Sequence, residues 1–120
     1  MNILWKAILP VTTKSEINIF SPWQRYRRFK AQEKSLKQRW LEENPQVSLP
    51  CTIRMVRISP RVLDDDNLQT ALKHVRDVLA DLLIPGLARG RADNDPRIRW
   101  EYEQKKGTMS LEITIYRPPS

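Results

Sequence analysis

Between Asn67 and Leu83, the residues Leu68, Leu72, Val75, Leu79 and Leu82 recur every three or four positions, which places them on one stripe of a helix. Such a stripe is stable only when another layer covers it, so the chain has to fold around this helix. Directly in front of it stand Asp64, Asp65 and Asp66. Three adjacent acids repel one another, and capping a helix uses only one of them. The knot therefore reads as a site as well as a helix start.

A chain of 120 residues with 40% hydrophobic content has room for one domain built of one sheet and two or three helices. A domain this small often gains stability by pairing, so a homodimer is an expectation from size. The single cysteine, Cys51, leaves no disulfide framework and no Cys-based zinc site, and its apolar surroundings suit a small core residue. The opening MNILWKAILP is interrupted at Lys6 and Pro10, too short for a membrane span and unlike a secretory signal. A reducing cytoplasm, with no membrane partner, is the expected setting.

The net charge of +7 is placed unevenly. Residues 1–58 carry eleven Lys/Arg against four Asp/Glu, and residues 59–120 carry ten against ten. The excess positive charge lies wholly in the first half, which suits a polyphosphate partner, whereas the acids gather in the second and suit bound cations.

Asn2–Leu9 reads as a strand, and Val11–Phe20 as a turn followed by extended chain. Ser21-Pro22 opens a helix that runs to about Glu43 and stops at Asn44-Pro45. Tyr26, Phe29, Leu36 and Trp40 are expected to dock on the sheet, leaving Arg27, Lys30, Lys34 and Lys37 as a basic ridge joined by Arg25, Arg28 and Arg39. Most charge runs are merely solvated. Here only Glu33 interrupts the run before Glu42, so phosphate contacts are favoured. After a linker at residues 45–50, CTIRMVRI (51–58) is apolar on both faces and reads as an inner strand. Residues 84–96 should form a mobile loop, and Arg97–Gln104 with Met109–Ile115 a hairpin around Lys105-Lys106-Gly107.

In an extended Asp64-Asp65-Asp66 the first and third side chains share a side and could chelate together, with Asp95 arriving at the start of a strand as a third ligand. Magnesium favours such a set, because a few carboxylates suffice when water and phosphate oxygens complete its shell. The plainer reading makes Asp66 or Asn67 an N-cap and Asp93-Asn94-Asp95-Pro96 an ordinary turn. Neither cluster has the glycine and glutamate of an EF-hand loop. His74, without a His or Cys partner, reads as a surface histidine. Lys73 stands opposite the apolar stripe, where it either meets a phosphate or pairs with Asp77 four residues on.

These residues resemble the RusA family of Holliday junction resolvases. The family pattern is Asp-x-Asp-Asn before a helix, a lysine within it, and a further Asp after a loop and ahead of a strand. Asp64-Asp65-Asp66-Asn67 matches the first part, and Asp95 in Asp93-Asn94-Asp95-Pro96-Arg97-Ile98 the last. The family lysine falls three positions after the asparagine; here that position is Thr70, and Lys73 follows one helical step later on nearly the same face. The specific part of the resemblance covers residues 64–98.

The resemblance implies an α/β (α+β) fold, with a small mixed sheet of about four strands and two main helices packed on it, working as a homodimer. It implies Mg²⁺-dependent paired nicking of four-way DNA junctions, in bacteria and their prophages, with Mn²⁺ as a possible substitute. Asp64, Asp66 and Asp95 would bind the metal, Asn67 would order the acidic turn, and Lys73 would neutralise developing charge. Arg27, Lys30, Lys34, Lys37, Arg89 and Arg91 would hold the DNA backbone. The competing expectations are a non-catalytic nucleic-acid-binding protein and a nuclease for other branched DNA.

Overall fold

The structure is a computed structural model that describes residues 2–14, 21–86 and 91–118. It is an α+β fold in which strand β1 (Asn2–Leu9) precedes helix α1 (Pro22–Glu43) and strand β2 (Cys51–Ser59) precedes helix α2 (Asp65–Leu83). A 3-10 turn (Ala92–Asn94) and strands β3 (Ile98–Lys106) and β4 (Ser110–Arg117) complete it. Arg89, and residues 15–20 of the expected extended segment, lie outside the described residues. No helix among the described residues is long and apolar enough to cross a membrane.

The four strands form one mixed sheet in the order β1-β4-β2-β3. β2 is an inner strand, antiparallel to β4 and parallel to β3, with Ile53 between Ile115 and Trp100 and Met55 between Ile113 and Tyr102. β3 and β4 therefore do not form the expected hairpin. Alternation marks a strand but not its neighbour, and β2, apolar on both faces, takes the place between them. The crossover through α2 leaves β3 parallel to β2, and the chain then steps over the end of β2 to start β4. Gly107 permits that step. Its N–H donates to the Ser59 carbonyl (3.1 Å), and a Cβ at this position would lie 2.8 Å from Ile58 Cγ2.

Trp5, Ala7 and Leu9 of β1, Ile53 and Met55 of β2, and Leu111, Ile113 and Ile115 of β4 point to one face and share a core with Leu68, Leu72, Val75 and Leu79 of α2. The stripe read from the sequence is the docked face of α2, except that Leu82 is only partly buried. Cys51 is a buried free thiol, as expected, and burial raises its pKa.

α1 begins and ends where its signals place it. The Ser21 Oγ accepts from the Gln24 N–H (3.4 Å), Pro22 fills the first turn, and Asn44 closes the helix in the left-handed region at φ 44°. The docked stripe differs from expectation. Gln32 and Leu36 are buried, Phe29 and Trp40 partly so, while Tyr26 is exposed. The Gln32 amide donates to the Thr12 carbonyl at 2.7 Å, which offsets the cost of burying it. Trp40 meets Trp5 edge to face at 4.9 Å, fixing the C-terminal half of α1 on β1. At its middle, Phe29 stacks on His74 with centroids 4.2 Å apart, so His74 is a packed residue and not a surface one.

Candidate active site

The segment joining β2 to α2 is tied down by two side chains of the sheet. Arg57, buried on the helix-covered face, donates from Nη1 to the Arg61 carbonyl (2.8 Å) and from Nε to the Thr13 carbonyl (3.0 Å). Two residues later the Gln104 amide grips Leu63 from both sides, accepting from its N–H (2.8 Å) and donating to its carbonyl. The start of α2 thus has a fixed position.

Asp64 is the N-cap of α2, and its Oδ1 accepts from the Asn67 N–H at 3.0 Å. Asp65 and Asp66 lie in the first helical turn, where the partial positive charge of the helix end favours them. This overturns the extended reading of residues 64–66, and Asp64, not Asp66 or Asn67, is the cap. Helix formation wins because the cap satisfies an otherwise orphaned donor. Asn67 supports the acidic turn through its backbone N–H.

On α2, Asp66, Thr70 and Lys73 follow one another at four and three residues and share a face. With Gln69, Arg76, Asp93, Asn94 and Tyr102 they line an open polar groove between α2, the 3-10 turn and β3. Thr70, at the family lysine position, donates its hydroxyl back to the Asp66 carbonyl (3.0 Å). Lys73 reaches both acids beside it, 3.5 Å from Asp77 and 3.8 Å from Asp93, so the expected i,i+4 pair and a reach into the groove coexist. Burial raises the Asp77 pKa, and nearby Asp93 adds to the rise against the opposing pull of Lys73.

Asp93, which the plainer reading of the sequence placed in an ordinary turn with Asp95, is held from several sides. Its carbonyl accepts from Trp100 Nε1 (3.0 Å) and Arg76 Nη2 (3.2 Å), and its Oδ2 lies 3.4 Å from Arg76 Nε. The Arg76 guanidinium is itself held over the Trp100 ring at 4.8 Å and donates to the Tyr102 hydroxyl. Asp93 is only 5% exposed, and its Oδ1 is buried without a hydrogen-bond partner among the described residues. A buried carboxylate oxygen without a hydrogen bond is costly, and the neighbouring Arg76 and Lys73 cations offset part of that cost. The second half of the 84–96 loop is thus docked, not mobile.

Asp95 lies elsewhere. Arg97 engages both of its oxygens, from its backbone N–H (2.9 Å) and Nε (3.0 Å) to Oδ1 and from Nη2 to Oδ2 (2.9 Å). These hydrogen bonds hold its pKa down at about 2. Asp95 does not line the groove, and Asp64, Asp66 and Asp95 do not converge into a three-carboxylate cluster; among the described residues there is none. What the fold does bring to one groove is Asp66, Asp93 and Lys73. Asp66 and Asp93 are the two carboxylates that line it.

The basic ridge of α1 is exposed, but Glu33 compensates more of it than its lone position suggested. It lies 3.6 Å from both Lys30 and Lys37. Lys34 and Arg91 are exposed, and Arg27 stands over the Trp23 ring at 5.3 Å. No protein-family model and no curated protein matches the chain.

Proposed function

We propose that the protein is a metal-dependent DNA endonuclease of the junction-resolving type, acting as a homodimer on four-way junctions in the cytoplasm of a bacterium or its prophage. The observation that carries this reading is the buried Asp93 with an unpartnered oxygen, set in one groove with Asp66 and Lys73. The basic first half of the chain supplies charge for a DNA backbone, and two symmetry-related sites suit two symmetric cuts. A bound Mg²⁺ would supply an activated water and neutralise charge on the phosphate. Asp66 and Asp93 would hold the ion. Arg76 fixes the Asp93 carboxylate, and Lys73, exposed at the groove's edge, would turn from its acids to the scissile phosphate. Asp64 sets the helix start and Asp95 orders Arg97; their roles are in positioning.

A second reading has its own support. The Asp64 cap and the Asp95–Arg97 chelate are ordinary structural roles, as a non-catalytic DNA-binding protein would use them. Mn²⁺ titration followed by amide NMR separates the two. Selective broadening at Asp66, Thr70, Asp93 and Asn94, lost in Asp66→Asn and Asp93→Asn but kept in Asp95→Asn, is the expected result. Broadening that survives both of the first substitutions, or none in the wild type, would sink the metal site.

A further inference from the structure

The first two turns of α1 hold a feature that the groove does not use. Trp23 and Tyr26 are 60% and 52% exposed, yet their rings are stacked, with centroids 5.6 Å apart and planes 13° from parallel. Arg27 lies over Trp23 at 5.3 Å and Lys30 over Tyr26 at 5.6 Å. The helical spacing makes this one surface, two aromatic faces with a cation beside each. Arg27 also lines a groove with Lys14 and Arg28, between α1 and residues 10–14.

The surface has a defined place in the molecule. Phe29 meets His74, and further along Lys30, Glu33 and Lys37 border Val78, Asp81 and Leu82. The two helices therefore run side by side in the same sense. The N-terminal turns of α1 and α2, with the aromatic pair on one and Asp66 on the other, are directed to the same end of the protein.

We infer that Trp23 and Tyr26 form a stacking platform for unpaired nucleobases of a single-stranded nucleic acid segment, with Arg27, Lys30 and Lys14 neutralising its phosphates. Every base has a π face, so stacking needs no particular sequence. Arg27 and Lys30 now cover the rings, and bases that displaced them would release the two cations toward the adjoining phosphates. A protein partner fits less well, because the helix positions beside the pair among the described residues, Gln24, Arg25, Arg27, Arg28 and Lys30, are polar or charged. A twofold contact between copies would bring these cations face to face.

The test uses the full chain in EDTA, so it does not depend on metal or cleavage. Anisotropy compares a thymidine oligonucleotide with an abasic one of equal length and charge. Trp23→Ala or Tyr26→Ala should weaken the thymidine complex roughly 5- to 150-fold, while Trp23→Phe stays close to wild type and abasic binding is unmoved. In the unsubstituted protein, tryptophan fluorescence should be quenched by the thymidine oligonucleotide and not by the abasic one. Unchanged thymidine affinity, equal losses on both oligonucleotides, or unquenched wild-type fluorescence would each overturn the platform. So would an altered oligomeric state at unchanged affinity, which would mark a protein contact.

Discussion

Asp93 and Asp95 are two residues apart and chemically identical, and their surroundings divide their work. Asp93 faces inward, where Arg76 and Lys73 balance its charge and burial leaves one oxygen without a partner. Asp95 is held by Arg97, and its depressed pKa has a consequence for stability. A folded-state value of about 2 against roughly 3.9 in an unfolded chain means that the pair stabilises the protein above about pH 4. That contribution disappears as pH falls through about 2. The stability gap between wild type and Arg97→Gln should therefore be constant above about pH 4 and close by about pH 2, as read from denaturant midpoints. A gap that does not change with pH would show that the chelate is not formed. Nothing in the spacing Asp-Asn-Asp separates the two acids. The partner that does so, Arg76, arrives from another element, and only the fold brings it there.

At the scale of elements, both limits of α1 and the end of α2 were legible because they are local chemistry. Ser21-Pro22 starts α1, Asn44 in the left-handed region ends it, and the five-residue stripe of α2 docks as spaced. The pairing of β3 was not legible. A turn-like Lys-Lys-Gly suits a hairpin, whereas here the same glycine lets the chain pass over the end of β2. Gly107→Ala should accordingly destabilise the protein by about 1–3 kcal/mol, since its Cβ would press on the branched Ile58 side chain and not on a movable chain end. The same substitution in an Ile58→Ala background should cost measurably less, the two changes sharing one contact. Additive losses in urea unfolding would contradict that geometry. The extended reading of residues 64–66 failed for a related reason. Period-two geometry applies only while the chain is extended, and the Asp64 cap ends that before Asp65.

Across the whole molecule, both helices cover one face of the sheet, and the opposite face carries ion pairs such as Lys6–Glu112 (3.2 Å) and Arg54–Glu101 (3.4 Å). The charge asymmetry visible in the sequence becomes spatial. α1 presents its cations, and the N-terminal turns of both helices are directed to the same end of the protein. On the proposed reading, binding to a charged backbone and cutting at a metal-dependent groove would be separable, and only the second would require Asp66 and Asp93. The direct test is a synthetic four-way junction incubated with the protein in Mg²⁺ and in Ca²⁺, alongside flap and duplex controls. Paired, symmetric nicks in Mg²⁺, binding without cutting in Ca²⁺, and loss of cutting with retained binding in Asp66→Asn and Asp93→Asn are the expected results. Binding of the junction with no cutting in Mg²⁺ or Mn²⁺, or cutting at the wild-type rate by either variant, would contradict the nuclease assignment.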